Sequence, residues 1–130
     1  MKRALVLLVR LATRLFYRQE RLGRAVPADG PALLVANHPN GLLDPALVLS
    51  VTERDVLFLG KEPLFRMPVV GWLVRRLGVV PVHRAQDGAD TAQNAAAFAA
   101  VHVALEHGGV VALFPEGRAH DEPSLQRLKT

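Results

Sequence analysis

Cysteine is absent from this 130-residue chain, which excludes a disulfide framework, a thiolate nucleophile and any cysteine-based zinc site. Aromatic residues make up only 5%, too few to interleave with basic side chains as a base-stacking surface, so no nucleic-acid partner is expected. Long apolar runs are missing too. The longest one in the N-terminal segment, residues 4–9, falls far short of the ~20 residues that a membrane-spanning helix needs. The five histidines, His38, His83, His102, His107 and His120, form no H-E-x-x-H pair or other metal-ligand spacing, so no metal is expected. A G-x-S-x-G elbow is also lacking, which argues against a serine acyl-enzyme. No cofactor is implied.

What is present is an apolar half of the composition, in a length that fits one domain with a sizeable core. The net charge of +4 is unevenly spread: residues 1–24 hold seven basic residues and one acidic, and the rest of the chain nine and eleven. Read as a helix, residues 1–24 set Leu5, Leu8, Ala12, Leu15 and Phe16 on one side and Arg3, Arg10, Arg14 and Arg21 on the other. Arg10 and Arg14 interrupt the apolar stretch and no small-residue cleavage site follows, so a signal peptide is not expected. Such a helix either lies in the headgroup region of an anionic leaflet or packs on its own domain with a solvated basic face. The first reading places the protein as a peripheral or monotopic protein on the cytoplasmic face of a membrane.

Beyond a polar connector at 25–30, apolar runs alternate with helical patterns. Strands are predicted at 32–36, 56–59, 78–82 and 110–114, with Pro81 marking an edge or irregular position. Helices are predicted from Pro45, in parts of 64–77 with breaks near Pro68 and Gly71, and over 91–107. The last begins at a capping-box-like Asp90 and Gln93 and stops at Gly108 and Gly109. This alternation implies an α/β fold, a mainly parallel sheet flanked by helices, whose ligands gather beyond the carboxyl ends of the strands.

Three loops at strand ends carry polar residues: 38–44, His83-Arg84, and Pro115-Glu116-Gly117-Arg118. In the first, Pro39, Asn40 and Gly41 are turn formers, and Asp44-Pro45 fits the N-cap and first turn of a helix. A folded-back loop can bring Asp44 to His38. Taken singly, Asp44 also reads as a helix cap, Arg84 as a solvated strand end and Glu116 as a turn carboxylate.

Taken together, the blocks Asn37 to Asp44, Gly78 to Arg84 and Phe114-Pro115-Glu116-Gly117 resemble those of the glycerolipid acyltransferases, the family of glycerol-3-phosphate and 1-acylglycerol-3-phosphate acyltransferases. The stretch from Gly60-Lys61-Glu62-Pro63-Leu64-Phe65 through Pro68, Gly71 and Trp72 is similar to the family's segment between the first two blocks. The resemblance covers residues 31–130. The five residues between His38 and Asp44 are one more than the most familiar spacer. They match a branch resembling fungal glycerol-3-phosphate and dihydroxyacetone-phosphate acyltransferases. Arg118 follows Gly117 directly, where many members have Thr-Arg. The chain ends at Lys129-Thr130, where the family normally continues, so a domain truncated at its C-terminus is expected.

The resemblance implies acyl transfer from acyl-CoA or acyl-carrier protein to a hydroxyl of a phosphorylated glycerol acceptor, in phospholipid biosynthesis. An imidazole that titrates near neutrality can act as a general base, and a carboxylate on its other nitrogen can fix the tautomer. His38 and Asp44 are the expected pair. Arg84 is the first choice for the acceptor's phosphate, with Lys61 and Arg118 behind it. Glu116, with Gly117, binds the acceptor's hydroxyl end or holds the loop. The rival expectation is a catalytically incomplete, membrane-binding fragment.

Overall fold

A computed structural model describes residues 2–84, 91–117, 120, 122 and 124–128. Helix α1 (Lys2–Phe16) leads into β1 (Ala32–Val35), α2 (Leu43–Val51) and β2 (Val56–Lys61). A 3₁₀ turn (Glu62–Arg66), α3 (Pro68–Leu77) and β3 (Val80–Val82) follow, then a 3₁₀ turn (Thr91–Asn94), α4 (Ala95–Glu106) and β4 (Val110–Leu113). The four strands form one sheet in the order β1-β4-β2-β3, every pairing parallel. Parallel pairing sends all four carboxyl ends to the same edge.

The predicted elements are present with adjusted ends. Asn40, rather than Asp44, caps α2, which starts at Leu43, two residues before Pro45. Gly78 sits in the left-handed region (φ 74°) as the cap of α3 instead of opening a strand. Pro81 lies on β3, an edge strand, where a missing N–H costs no ladder bond on the open side. Pro68 separates the 3₁₀ turn from α3 as expected, but Gly71 lies inside α3. Of the predicted capping box, Asp90 lies outside the described residues.

The central strand β4 is the most buried: Val110, Val111 and Ala112 are each 2% exposed or less. Val110 and Ala112 join Val56 and Phe58 of β2, Leu49 of α2 and Val6 of α1 in one cluster. Val111, on the opposite side by strand alternation, and Ala97 of α4 lie outside that cluster.

Helix α1 is shorter than expected, and one arginine of its basic side is turned to the domain. It ends at Phe16, and the side carrying Arg10 faces the domain. The Arg10 guanidinium donates to the carbonyls of Leu49 (2.7 Å) and Thr52 (2.6 Å) and pairs with Glu53 (3.1 Å), while Arg21 donates to the Ser50 carbonyl. These carbonyls end α2, where a helix leaves acceptors unsatisfied and favours positive charge. Two arginines therefore act as the C-terminal cap of α2. Leu7, Leu8, Leu11, Leu15 and Phe16 consequently point outward, each more than 60% exposed. No helix among the described residues is long and apolar enough to cross a membrane.

Gly71 is required by a close approach. A Cβ there would lie 2.5 Å from the Phe65 carbonyl oxygen and 2.9 Å from its carbon, backbone atoms that cannot rotate away. Gly71→Ala should cost about 1–3 kcal/mol, read as a lower urea midpoint at unchanged slope. Val69→Ala, on the exposed side of the same helix, should stay within about 0.5 kcal/mol. Equal, small effects would show that the Phe65–Gly71 contact relaxes freely.

Candidate active site

The first loop folds through its own side chains. The Asn40 Oδ1 accepts the N–H groups of Leu42 (3.1 Å) and Leu43 (3.0 Å), closing the turn and capping α2. Asp44, in the first turn of that helix, returns the contact: its Oδ2 accepts the Asn40 N–H at 2.7 Å. The same oxygen lies 3.0 Å from Nδ1 of His38. Both side chains are largely enclosed, at 16% and 12% exposure.

This arrangement sets the tautomer of His38. A carboxylate oxygen that already accepts a backbone N–H offers only acceptor capacity, so Nδ1 carries the hydrogen and donates. Nε2 is then left with its lone pair. Among the described residues no side chain or main-chain group bonds Nε2. The imidazole lies against the Phe114 ring, with centroids 4.2 Å apart and planes 19° from parallel, so β4's exit forms a wall for the ring.

The third loop is tied to the first at a buried point. Glu116 is 1% exposed. Its Oε2 accepts the His38 N–H (3.1 Å) and faces Nε2 of His120 (2.6 Å), and its Oε1 accepts the Gln126 N–H (3.0 Å). Burial alone would raise this carboxyl's pKa, but the hydrogen bonds from Gln126, His38 and His120 outweigh it and hold the group below the usual carboxylate range. Gly117, in the left-handed region (φ 70°), turns the loop and donates its N–H to the Phe114 carbonyl at 3.0 Å.

The second loop joins through Arg84, whose Nη1 donates to the Gly117 carbonyl. Asn94, just before α4, holds the preceding residue on both main-chain groups: its Oδ1 accepts the His83 N–H and its Nδ2 donates to the His83 carbonyl, each at 2.7 Å. Lys61 ends β2 opposite Val82 of β3 and is exposed. It stands one strand from the chain that leads into Arg84. Arg118 lies outside the described residues.

The three loops thus converge, with His38, Asp44, Glu116, Gly117 and Arg84 linked by direct contacts. Sequence reasoning missed Asn40 as the cap, Asn94 as the clamp on His83 and His120 as the partner of Glu116. Only Asn40 had a recognisable cue, its place three residues before the start of α2. Among the described residues no group of three or more histidine, aspartate or glutamate side chains could hold a metal ion.

The Acyltransferase family matches residues 18–130 of the chain. A Mycobacterium tuberculosis protein of uncharacterized function is 31% identical over 135 residues, covering 93% of this chain and 34% of its own. The chloroplastic 1-acyl-sn-glycerol-3-phosphate acyltransferases of Arabidopsis thaliana and Brassica napus are 30% and 31% identical, covering 85% and 78% of this chain. They are covered over 29% and 28% of their own lengths, so the chain spans about a third of the curated relatives it matches. No solved structure matches it. A family match over most of the chain, on the segment that carries the three loops, establishes that the chain belongs to the acyltransferase family, among the glycerolipid acyltransferases.

Proposed function

We infer that the protein transfers a fatty acyl group from a thioester, acyl-CoA or acyl-carrier protein, to a hydroxyl of glycerol-3-phosphate, 1-acylglycerol-3-phosphate or a related acceptor. The observation that carries this reading is the bond from the His38 ring to Asp44, because it leaves Nε2 unprotonated and able to take a proton. An alcohol is a weak nucleophile until that proton is removed. As Nε2 takes it, the acceptor oxygen attacks the thioester carbon, and the resulting imidazolium is stabilised by Asp44. The tetrahedral intermediate then expels the thiolate, which receives the same proton. No acyl-enzyme is required.

Phosphate on the acceptor calls for paired, directional donors, which a guanidinium supplies. Arg84 is assigned that role, and Lys61 and Arg118 are its secondary candidates. Glu116 is assigned to holding the loop rather than to binding the acceptor's hydroxyl end, since both its oxygens are already bonded to protein groups. The outward leucines of α1, flanked by arginines, support peripheral binding to an anionic membrane, where both lipid substrate and product reside.

Purified full-length protein, supplied with acyl-CoA, anionic liposomes and glycerol-3-phosphate or its 1-acyl derivative, should release thiol and form the ester. His38→Ala should lower turnover by at least about a hundredfold while the protein stays folded. Asp44→Asn should also reduce turnover, yet leave more activity than His38→Ala, because orientation is lost and the proton acceptor is kept. Asn40 caps α2 in either case, so full activity of Asp44→Asn would remove the aspartate from the mechanism.

Arg84→Ala should raise KM for the phosphorylated acceptor about tenfold or more, from the loss of roughly 1.5–3 kcal/mol in a charge-assisted bond, with little change in KM for the donor. An equal rise for both substrates would reduce Arg84 to a tie between loops.

Membrane binding should depend on the outer face of α1. Changing Leu7, Leu8, Leu11 and Leu15 to Gln should weaken partitioning onto phosphatidylglycerol liposomes more than a hundredfold, about 3 kcal/mol for four leucines that each bury part of their surface. The fold should persist, since none of the four is in the core. Sedimentation with liposomes measures this, and undiminished binding would contradict it.

A further inference from the structure

His38 lies beyond the end of β1: the last ladder-type bond on that side is from the Ala36 N–H to the Leu113 carbonyl, 3.2 Å. The sheet therefore does not hold the main chain of His38, and the N–H and C=O of this half-buried residue need other partners. Both are supplied by the segment after β4. The His38 N–H donates to Glu116 Oε2 at 3.1 Å, and the His38 carbonyl accepts the His120 N–H at 3.2 Å.

His120 closes this clamp a second time with its ring. The side chain is 7% exposed, and Nε2 lies 2.6 Å from the Glu116 oxygen that holds His38. Its other nitrogen, Nδ1, accepts the Glu122 N–H at 3.2 Å. A nitrogen that accepts carries no hydrogen, so Nε2 is the protonated one and donates to the carboxylate. One oxygen of Glu116 is thus fixed between two donors, the His120 ring and the main chain of His38.

We propose that His120 is a positioning residue for His38: through Glu116 and through its own N–H it fixes the main chain that carries the ring, keeping Nδ1 on Asp44 and Nε2 toward the acceptor. The proposal rests on the reading of His38 as the base. It adds a part to that machinery which touches neither substrate nor the reacting atoms. Displacement of a reacting group by about 1 Å can cost two orders of magnitude in rate, so a device that holds the main chain of the base contributes to turnover without contributing to substrate affinity.

The test compares His120→Ala and His120→Gln in the full-length protein, since a glutamine amide can offer an N–H where Nε2 stood. His120→Ala should lower kcat about 10- to 100-fold with KM for donor and acceptor changed less than about twofold. His120→Gln should restore kcat to within about threefold of the parent. The ring nitrogens of His38, observed by ¹⁵N NMR, should show the Nδ1–H tautomer in the parent and in His120→Gln, and a mixture of tautomers in His120→Ala. Unchanged kcat and an unchanged His38 tautomer in His120→Ala would overturn the proposal. So would a loss of activity matched by an equal loss of folded protein and not restored by glutamine. The two readings fail separately: near-normal turnover by His38→Ala would remove the base, whereas the tautomer of His38 reports on His120 whether or not His38 is catalytic.

Discussion

The bond between the His38 ring and Asp44 decides which imidazole nitrogen is free, and the surrounding structure is arranged to make that decision firm. An isolated imidazole exchanges its proton between two nitrogens. Here the carboxylate oxygen that meets Nδ1 also accepts the Asn40 N–H, so it has nothing to donate and the proton must stay on the histidine. Asn40 in turn fixes the start of α2 by accepting two N–H groups, which sets where Asp44 stands. Phe114 limits the ring from one face and Glu116 holds its main chain. These contacts come from two strand ends, those of β1 and β4, which lie side by side because the two strands pair in parallel.

The same logic of satisfying main-chain groups explains the parts far from the site. The end of α2 is completed by Arg10 and Arg21 from the N-terminal segment, and the turns entering β1 and β4 are joined by Arg54. That guanidinium donates to the carbonyls of Pro27, Gly30 and Gly108. The first of these arrangements turns Arg10 of α1 inward, while Arg3, Arg14 and the leucines Leu7, Leu8, Leu11 and Leu15 stay exposed. Charge on this chain therefore has a structural use as well as the electrostatic one suggested by composition.

Much of the architecture was legible in the sequence because its cues are local. Apolar runs of four to six residues bounded by glycine or proline mark strands such as Ala32–Val35 and Val110–Leu113, and the turn formers between His38 and Asp44 signal a reversal. The inward turn of Arg10 was not legible. The arginines of α1 would be solvated on any isolated helix, and only the carbonyls at the end of α2, some forty residues away in the chain, draw Arg10 inward. His120 and Asn94 were missed for a related reason. Their partners are a buried carboxylate and a main-chain amide and carbonyl, and no spacing rule singles out the one histidine or asparagine that meets such groups.

Under the proposed function His38 acts as a base on the acceptor rather than as a nucleophile on the thioester, and transient thiol release separates the two roles. Full-length protein mixed with acyl-CoA alone should release no stoichiometric burst of thiol, and its intact mass should stay unchanged. Thiol and ester should appear together only when the phosphorylated acceptor is added. A burst of thiol without acceptor, accompanied by a protein mass raised by one acyl group, would show an acyl-enzyme and rule out His38 as a base on the acceptor alone.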